Sequence, residues 1–225
     1  MSDRVQAAIQ ACLKNGRRIL RDDVSFADFN DPPATAYFLA MIAQEEFAKA
    51  FLLALVDRGI LTLDRHILRA SRDHSCKQLL AVVMDHLHPD EDEFDARIHR
   101  PVDTPGPSFP RRVADAIAVF RFETIGRWES DDWTYVEAPS YDREVLSVAS
   151  GKLDRRKQDA LYVRLAVDGG VASTPTATKA EVEAEIKRAE RFDWCVRSVL
   201  EGNFWGFDDY DVRSAFRAAF NEALT

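Results

Sequence analysis

A long apolar segment with a charged triplet at its middle constrains this chain more than any other feature. The segment is Ala34–Val56, and the triplet is Glu45, Glu46 and Lys49. Tyr37, Phe38, Leu39, Met41 and Ile42 precede it, and Phe47, Phe51, Leu52, Leu53, Leu55 and Val56 follow or interleave with it. A helix that is apolar all round is covered all round. Charges in such a helix are costly unless they are paired. At about 100° per residue, Glu45, Glu46 and Lys49 fall in one sector. Glu45→Lys49 is an i,i+4 pair in the favourable orientation and Glu46→Lys49 an i,i+3 pair. The segment is long enough to span a membrane, but a central Lys or Asp costs about 2.5–3.5 kcal/mol on insertion. We therefore read a core helix and expect no membrane association.

The sector needs partners, and the next charged cluster follows after a short loop. A helix over Asp64–Leu87, ended by His88-Pro89, carries Arg65, His66, Arg69, Arg72, Asp73, His74 and Lys77 in its first half, with apolar Leu79–Met84 after them. His74 and Lys77 are one turn apart and can reach the same partner. On an unbroken helix Arg69 and His74 point about 140° apart. A local bend, or two copies of the helix related by a two-fold axis, would bring them to one site. Arginine suits phosphate and the charge that develops on it. Histidine moves a proton near neutral pH. The competing reading makes the triplet, with His74, an ion-pair network that fixes helix packing, and the arginines a solvated face.

The remaining segments are mostly helical. Helices are expected over Asp3–Arg21 with Ser2 as N-cap, from Asp31-Pro32-Pro33 to Arg58-Gly59, and from Pro110 through Val113, Ile117, Phe120 and Ile125. Residues 88–110 read as a long loop, acidic and then proline-rich. Residues 127–150 carry Trp128, Trp133 and Tyr135, which suggest packing, and a short helix at Asp142–Val148. Ala160–Val167 followed by Asp168-Gly169-Gly170 predicts a small β-hairpin. Thr178-x-x-Glu181 is a capping box opening a helix to Glu201, and a last helix covers Asp209–Leu224. The expected architecture is mostly α, a helical bundle with a small β-hairpin insert, in a single domain over residues 1–225.

Composition narrows the function. With a formal net charge of −8, a general electrostatic grip on nucleic acid is disfavoured, although a local basic patch can still bind it. Three isolated cysteines, Cys12, Cys76 and Cys195, fit a reducing compartment and no disulfide framework. Without an apolar signal region at the N-terminus, the expectation is a cytoplasmic protein. Metal ligation has little support. Asp85, His86, His88 and Glu91 could gather a cation, but there is no Glu-x-x-His, H-E-x-x-H or Cys-x-x-Cys, and no phosphate-cradling glycine loop or G-x-S-x-G. We expect no metal and no cofactor.

Tyr37-Phe38-Leu39-Ala40-Met41-Ile42-Ala43-Gln44-Glu45-Glu46-Phe47-Ala48-Lys49-Ala50 resembles the central helix of AbiV-type abortive infection proteins. His74-Ser75-Cys76-Lys77 is similar to that family's following His-x-x-Lys, and Arg156–Val163 to its basic-to-Tyr-Val segment; Thr174-Pro175 and the helix after it also fit. The likeness covers roughly residues 34–87 and 152–200. It implies a HEPN-type helical bundle, often a homodimer, and a role in phage resistance by arresting the infected cell. Many HEPN proteins are metal-independent ribonucleases carrying Arg, four to six residues, then His. Arg69–His74 meets the minimum spacing, with Ala70 where a polar residue is common. The expected site has Arg69 on phosphate and His74 as general acid/base. Glu45 or Glu46 would orient His74 or Lys77, Lys49 and Arg72 would belong to the same polar network, and Tyr162 would be a rim contact. The action would be RNA cleavage or interference with translation. Two rivals remain: a non-catalytic module that captures a phage or ribosomal protein, and a metal-dependent helical hydrolase.

Overall fold

A computed structural model of the protein describes residues 2–27, 33–99, 110–130, 140–202 and 209–221. The architecture is mostly α with one small hairpin. Helices α1 (Ser2–Ala27) and α2 (Ala34–Asp57) are followed by α3 (Arg65–Ala70), α4 (His74–Leu87) and α5 (Glu91–Ile98). Next come α6 (Arg111–Ala118), a π-helical segment (Val119–Ile125), α7 (Gly126–Glu129), α8 (Arg143–Ala149) and α9 (Lys152–Asp159). Strands β1 (Arg164–Leu165) and β2 (Val171–Ser173), then α10 (Lys179–Glu201) and α11 (Asp209–Asn221), complete the order.

The apolar segment is the central rod. Helix α2 packs against α1, α10, α4 and α9, which explains why no face of it is polar. Phe47, Phe51, Leu52 and Leu55 are wholly or almost wholly buried, each contributing about 1.5–3 kcal/mol by removal from water. One apolar cluster runs from Val5 through α2, α4, α6 and α10 to Ala219. A smaller one joins the start of α2 (Ala34, Tyr37, Met41) to Ala160 and Val182. Helix α1 approaches α2 closely at Gly16, where a Cβ would stand 2.6 Å from Cε1 of the Phe47 ring. No helix among the described residues is long and apolar enough to cross a membrane.

The caps account for several boundaries. Thr178 and Glu181 form the expected capping box, and Asp142 caps α8. Helix α2 ends at Arg58 with Gly59 at φ +65°. Its start differs from expectation: Pro33 occupies the N-cap position without a side-chain cap, and Asp31 lies outside the described residues. Ser2 is the first residue of α1 rather than its cap, and α1 runs on to Ala27.

Three expectations are corrected. The helix expected over Asp64–Leu87 is two helices, because Asp64 and Asp73 each cap one. Asp73 Oδ1 accepts the Cys76 backbone N–H at 2.9 Å, which starts α4 afresh after a break at Ser71–Asp73. The loop expected over 88–110 contains α5, where Asp90 caps, Glu91, Asp92 and Glu93 fill the first turn and Arg97 the last, all in accord with the helix dipole. The helix from Pro110 passes through a π-helical segment before α7. Trp133 and Tyr135 lie outside the described residues. The hairpin forms at the predicted turn, although its strands are shorter than the alternating run, because Lys152–Asp159 is helical and Ala160 is its C-cap.

Candidate functional site

The site is built around Glu45, whose position on α2 fixes it in the interior. Its side chain is 5% exposed, and three donors from two other helices converge on it. Lys77 of α4 lies 2.8 Å from Oε2 and His74 Nδ1 lies 2.6 Å from the same oxygen. Lys157 of α9 lies 2.6 Å from Oε1. Lys157 also pairs with Asp154 at 2.8 Å, one turn earlier on α9. Gly151, at φ +76°, makes the tight left-handed step from α8 that brings α9 against α2 and α4. Arg156 anchors α9 further: its guanidinium carbon lies 4.8 Å from the centre of the Tyr37 ring, and it pairs with Glu181 at 3.1 Å.

Burial by itself would raise the Glu45 carboxyl. The charge of Lys77, hydrogen bonds from Lys157 and Lys77, and the charge of Lys157 outweigh it and hold the group below the usual carboxylate range. Glu45 is therefore an anion, and His74 is oriented by it. His74 Nδ1 also lies 3.1 Å from the Lys157 ammonium, and we assign the proton to Nδ1 because the Glu45 carboxylate is the nearer partner at 2.6 Å. Nε2 is left as the basic nitrogen of a ring whose side chain is 50% exposed. His74 is thus a half-exposed histidine with a buried anion against Nδ1.

Glu45, His74 and Asp154 present ligand atoms within 4.8 Å of one another. That grouping could hold a cation, but the Lys157 ammonium already bridges both carboxylates and supplies the positive charge. The other residues considered for a metal have different partners. Asp85 is clamped by Arg188 at 2.9 Å and Arg191 at 3.1 Å, His86 Nδ1 faces Arg97 at 3.0 Å, and His88 stacks on Trp194 with ring centres 4.1 Å apart.

The charged triplet is divided. Glu45 faces α4 and α9, whereas Lys49 pairs with Glu46 rather than with Glu45. The i,i+4 geometry is available to Lys49, but Lys77, Lys157 and His74 fill the Glu45 oxygens. Glu46 and Lys49 face α1, close enough to Cys12 to act on its thiol, which burial pushes above its ordinary value. Arg72 lies apart from the network: it is exposed and its Nε donates to the Leu68 carbonyl at 3.2 Å. Tyr162 is 59% exposed beside the hairpin. Arg69, at the end of α3, lies with its guanidinium carbon 4.2 Å from the centre of the Trp128 ring. Arg69 and His74 thus flank the break at Ser71–Asp73 with different partners.

A model of the HEPN-type AbiV family matches residues 4–194. The chain belongs to this family. No curated protein and no solved structure matches it. Membership in AbiV suggests an abortive-infection role against phage. The match takes in α1 through most of α10, so Glu45, Arg69, His74, Lys77, Trp128, Asp154 and Lys157 all lie in the AbiV region.

Three participants escaped the sequence reading: Lys157, Asp154 and Trp128. A buried carboxylate facing more than one cation-bearing helix was the signal for the first two, since Lys77 alone leaves one Glu45 oxygen unsatisfied. Trp128 carried no such signal.

Proposed function

We propose that this AbiV-family protein acts in abortive infection as a metal-independent endoribonuclease. The observation that carries the reading is the half-exposed His74 ring held through Nδ1 by buried Glu45. In this mechanism His74 Nε2 takes the proton of a ribose 2′-hydroxyl. The oxygen attacks the adjacent phosphorus, the bond to the 5′-oxygen breaks, and that oxygen takes a proton from water, whose hydroxide takes back the proton held by His74. The products are a 2′,3′-cyclic phosphate and a 5′-hydroxyl end. Glu45 stabilises the imidazolium as it forms, and Arg69 donates to the phosphate oxygens. Incubation of single-stranded RNA with wild type, Arg69→Ala and His74→Ala in the presence of EDTA tests this. Cyclic-phosphate ends from wild type alone are expected. Equal products from all three proteins, or none from wild type, overturn the reading.

A second reading is a non-catalytic module that captures a protein. The exposed apolar hairpin favours it: Leu165 is 71% and Val171 64% exposed. Growth arrest of phage-infected cells that survives His74→Ala would support this reading over the nuclease.

A further inference from the structure

We infer that Trp128 is the positioning residue that aims Arg69 at phosphate, an inference that rests on the ribonuclease reading above. The arginines around the bundle are mostly spent on carboxylates. Arg121 pairs with Glu129, Arg127 with Glu123, Arg156 with Glu181, and Arg188 with Asp85. Arg69 differs. Its guanidinium carbon lies 4.2 Å from the centre of the Trp128 ring, and no carboxylate pairs with it among the described residues. A cation–π contact, unlike an ion pair, leaves the charge of the guanidinium uncancelled. Trp128 therefore holds the guanidinium in place without cancelling the charge that attracts a phosphate oxygen.

The local fold explains how the indole reaches α3. Trp128 lies on α7, directly after the π-helical segment Val119–Ile125, which packs against α3. A π turn carries one residue more than an α turn, so everything after it is rotated by about 100° relative to a continuous α-helix. The anchor is firm: Ile125 is buried, and Trp128 itself packs on the main core cluster. Arg69 supplies the charge, and Trp128 supplies the direction.

The test compares wild type, Arg69→Ala, Trp128→Leu, Trp128→Phe and the Arg69→Ala/Trp128→Leu double variant of the full chain. A fluorescein-labelled single-stranded RNA oligonucleotide is titrated at several salt concentrations. Trp128→Leu is expected to weaken binding about two- to fivefold, the worth of an exposed cation–π contact. It should also lower the slope of log Kd against log salt by about one, as loss of one phosphate contact does. Trp128→Phe, which keeps an aromatic face, should restore most of both, and the double variant should bind no worse than Arg69→Ala. Should Trp128→Leu fail to fold, Trp128→Gln takes its place with the same outcomes. A wild-type slope in Trp128→Leu beside a lowered slope in Arg69→Ala overturns the role of Trp128 and leaves the ribonuclease reading standing, as do additive losses in the double variant. A wild type that neither binds nor cuts the oligonucleotide overturns that reading and this inference with it.

Discussion

Lys157 reaches Glu45 across 112 residues of chain and places Nζ 2.6 Å from Oε1. This contact, together with Arg156 over the Tyr37 ring, ties the central helix to α9, a helix with few apolar side chains of its own to hold it. Removing Glu45 would take the carboxylate from the buried Lys77 ammonium and leave Lys157 with Asp154. Glu45→Ala is expected to lower unfolding free energy by about 3–5 kcal/mol, the usual cost of breaking a buried pair from one side. Urea denaturation measures it. Glu46→Ala, which breaks a partly exposed i,i+3 pair with Lys49, should cost less than about 1 kcal/mol.

Acid should expose the same carboxylate. The Glu45 carboxyl is held below its ordinary value of 4.5 in the folded protein. A depressed folded-state value means stability that is present above the unfolded-state value and lost as pH falls through the folded one. Wild type should therefore lose melting temperature as pH drops below about 4.5, and Glu45→Gln should lose less over that interval. Thermal melts from pH 3 to 7 compare the two, and parallel curves would remove Glu45 from the acid response.

The close approach of α1 to α2 at Gly16 makes a separate prediction. Gly16→Ala introduces a Cβ 2.6 Å from a ring carbon of Phe47, which is itself fully buried. Overpacking of this kind costs about 1–3 kcal/mol. A melting temperature equal to wild type would show that α1 shifts freely on α2.

The break between α3 and α4 rests on a cap. Asp73→Ala removes the acceptor for the Cys76 N–H and should cost about 0.5–2 kcal/mol. Asp73→Asn, which can still cap, should recover most of that loss. Chemical denaturation of the two variants is the measurement.

The fold was legible where side chains report locally. The apolar run of α2 announced a central helix, Thr178 with Glu181 announced a capping box, Asp142–Val148 announced a short helix, and Asp168-Gly169-Gly170 announced the hairpin turn. The demand of Glu45 for partners was also legible, and His74 and Lys77 were the right ones on α4. Lys157 was not, because Leu153 is the one apolar residue of α9 and leaves no apolar stripe to mark its inward face. The split between Glu45 and Glu46 was hidden for a related reason. Angular arithmetic places both in one sector, but a helix covered on every side offers different neighbours to adjacent residues. The break at Ser71–Asp73 contains neither glycine nor proline, and only the capping geometry of Asp73 reveals it. The meeting of Arg69 with Trp128 depends on a helix register that no pattern of apolar residues records.

The π-helical segment also has an evolutionary consequence. It is an α-helix bearing one surplus residue, so loss of a single codon within 119–125 would regularise the backbone hydrogen bonds and turn Trp128 by about 100° away from Arg69. Selection for a sturdier helix and selection for a pre-aimed guanidinium would then pull this stretch of gene in opposite directions.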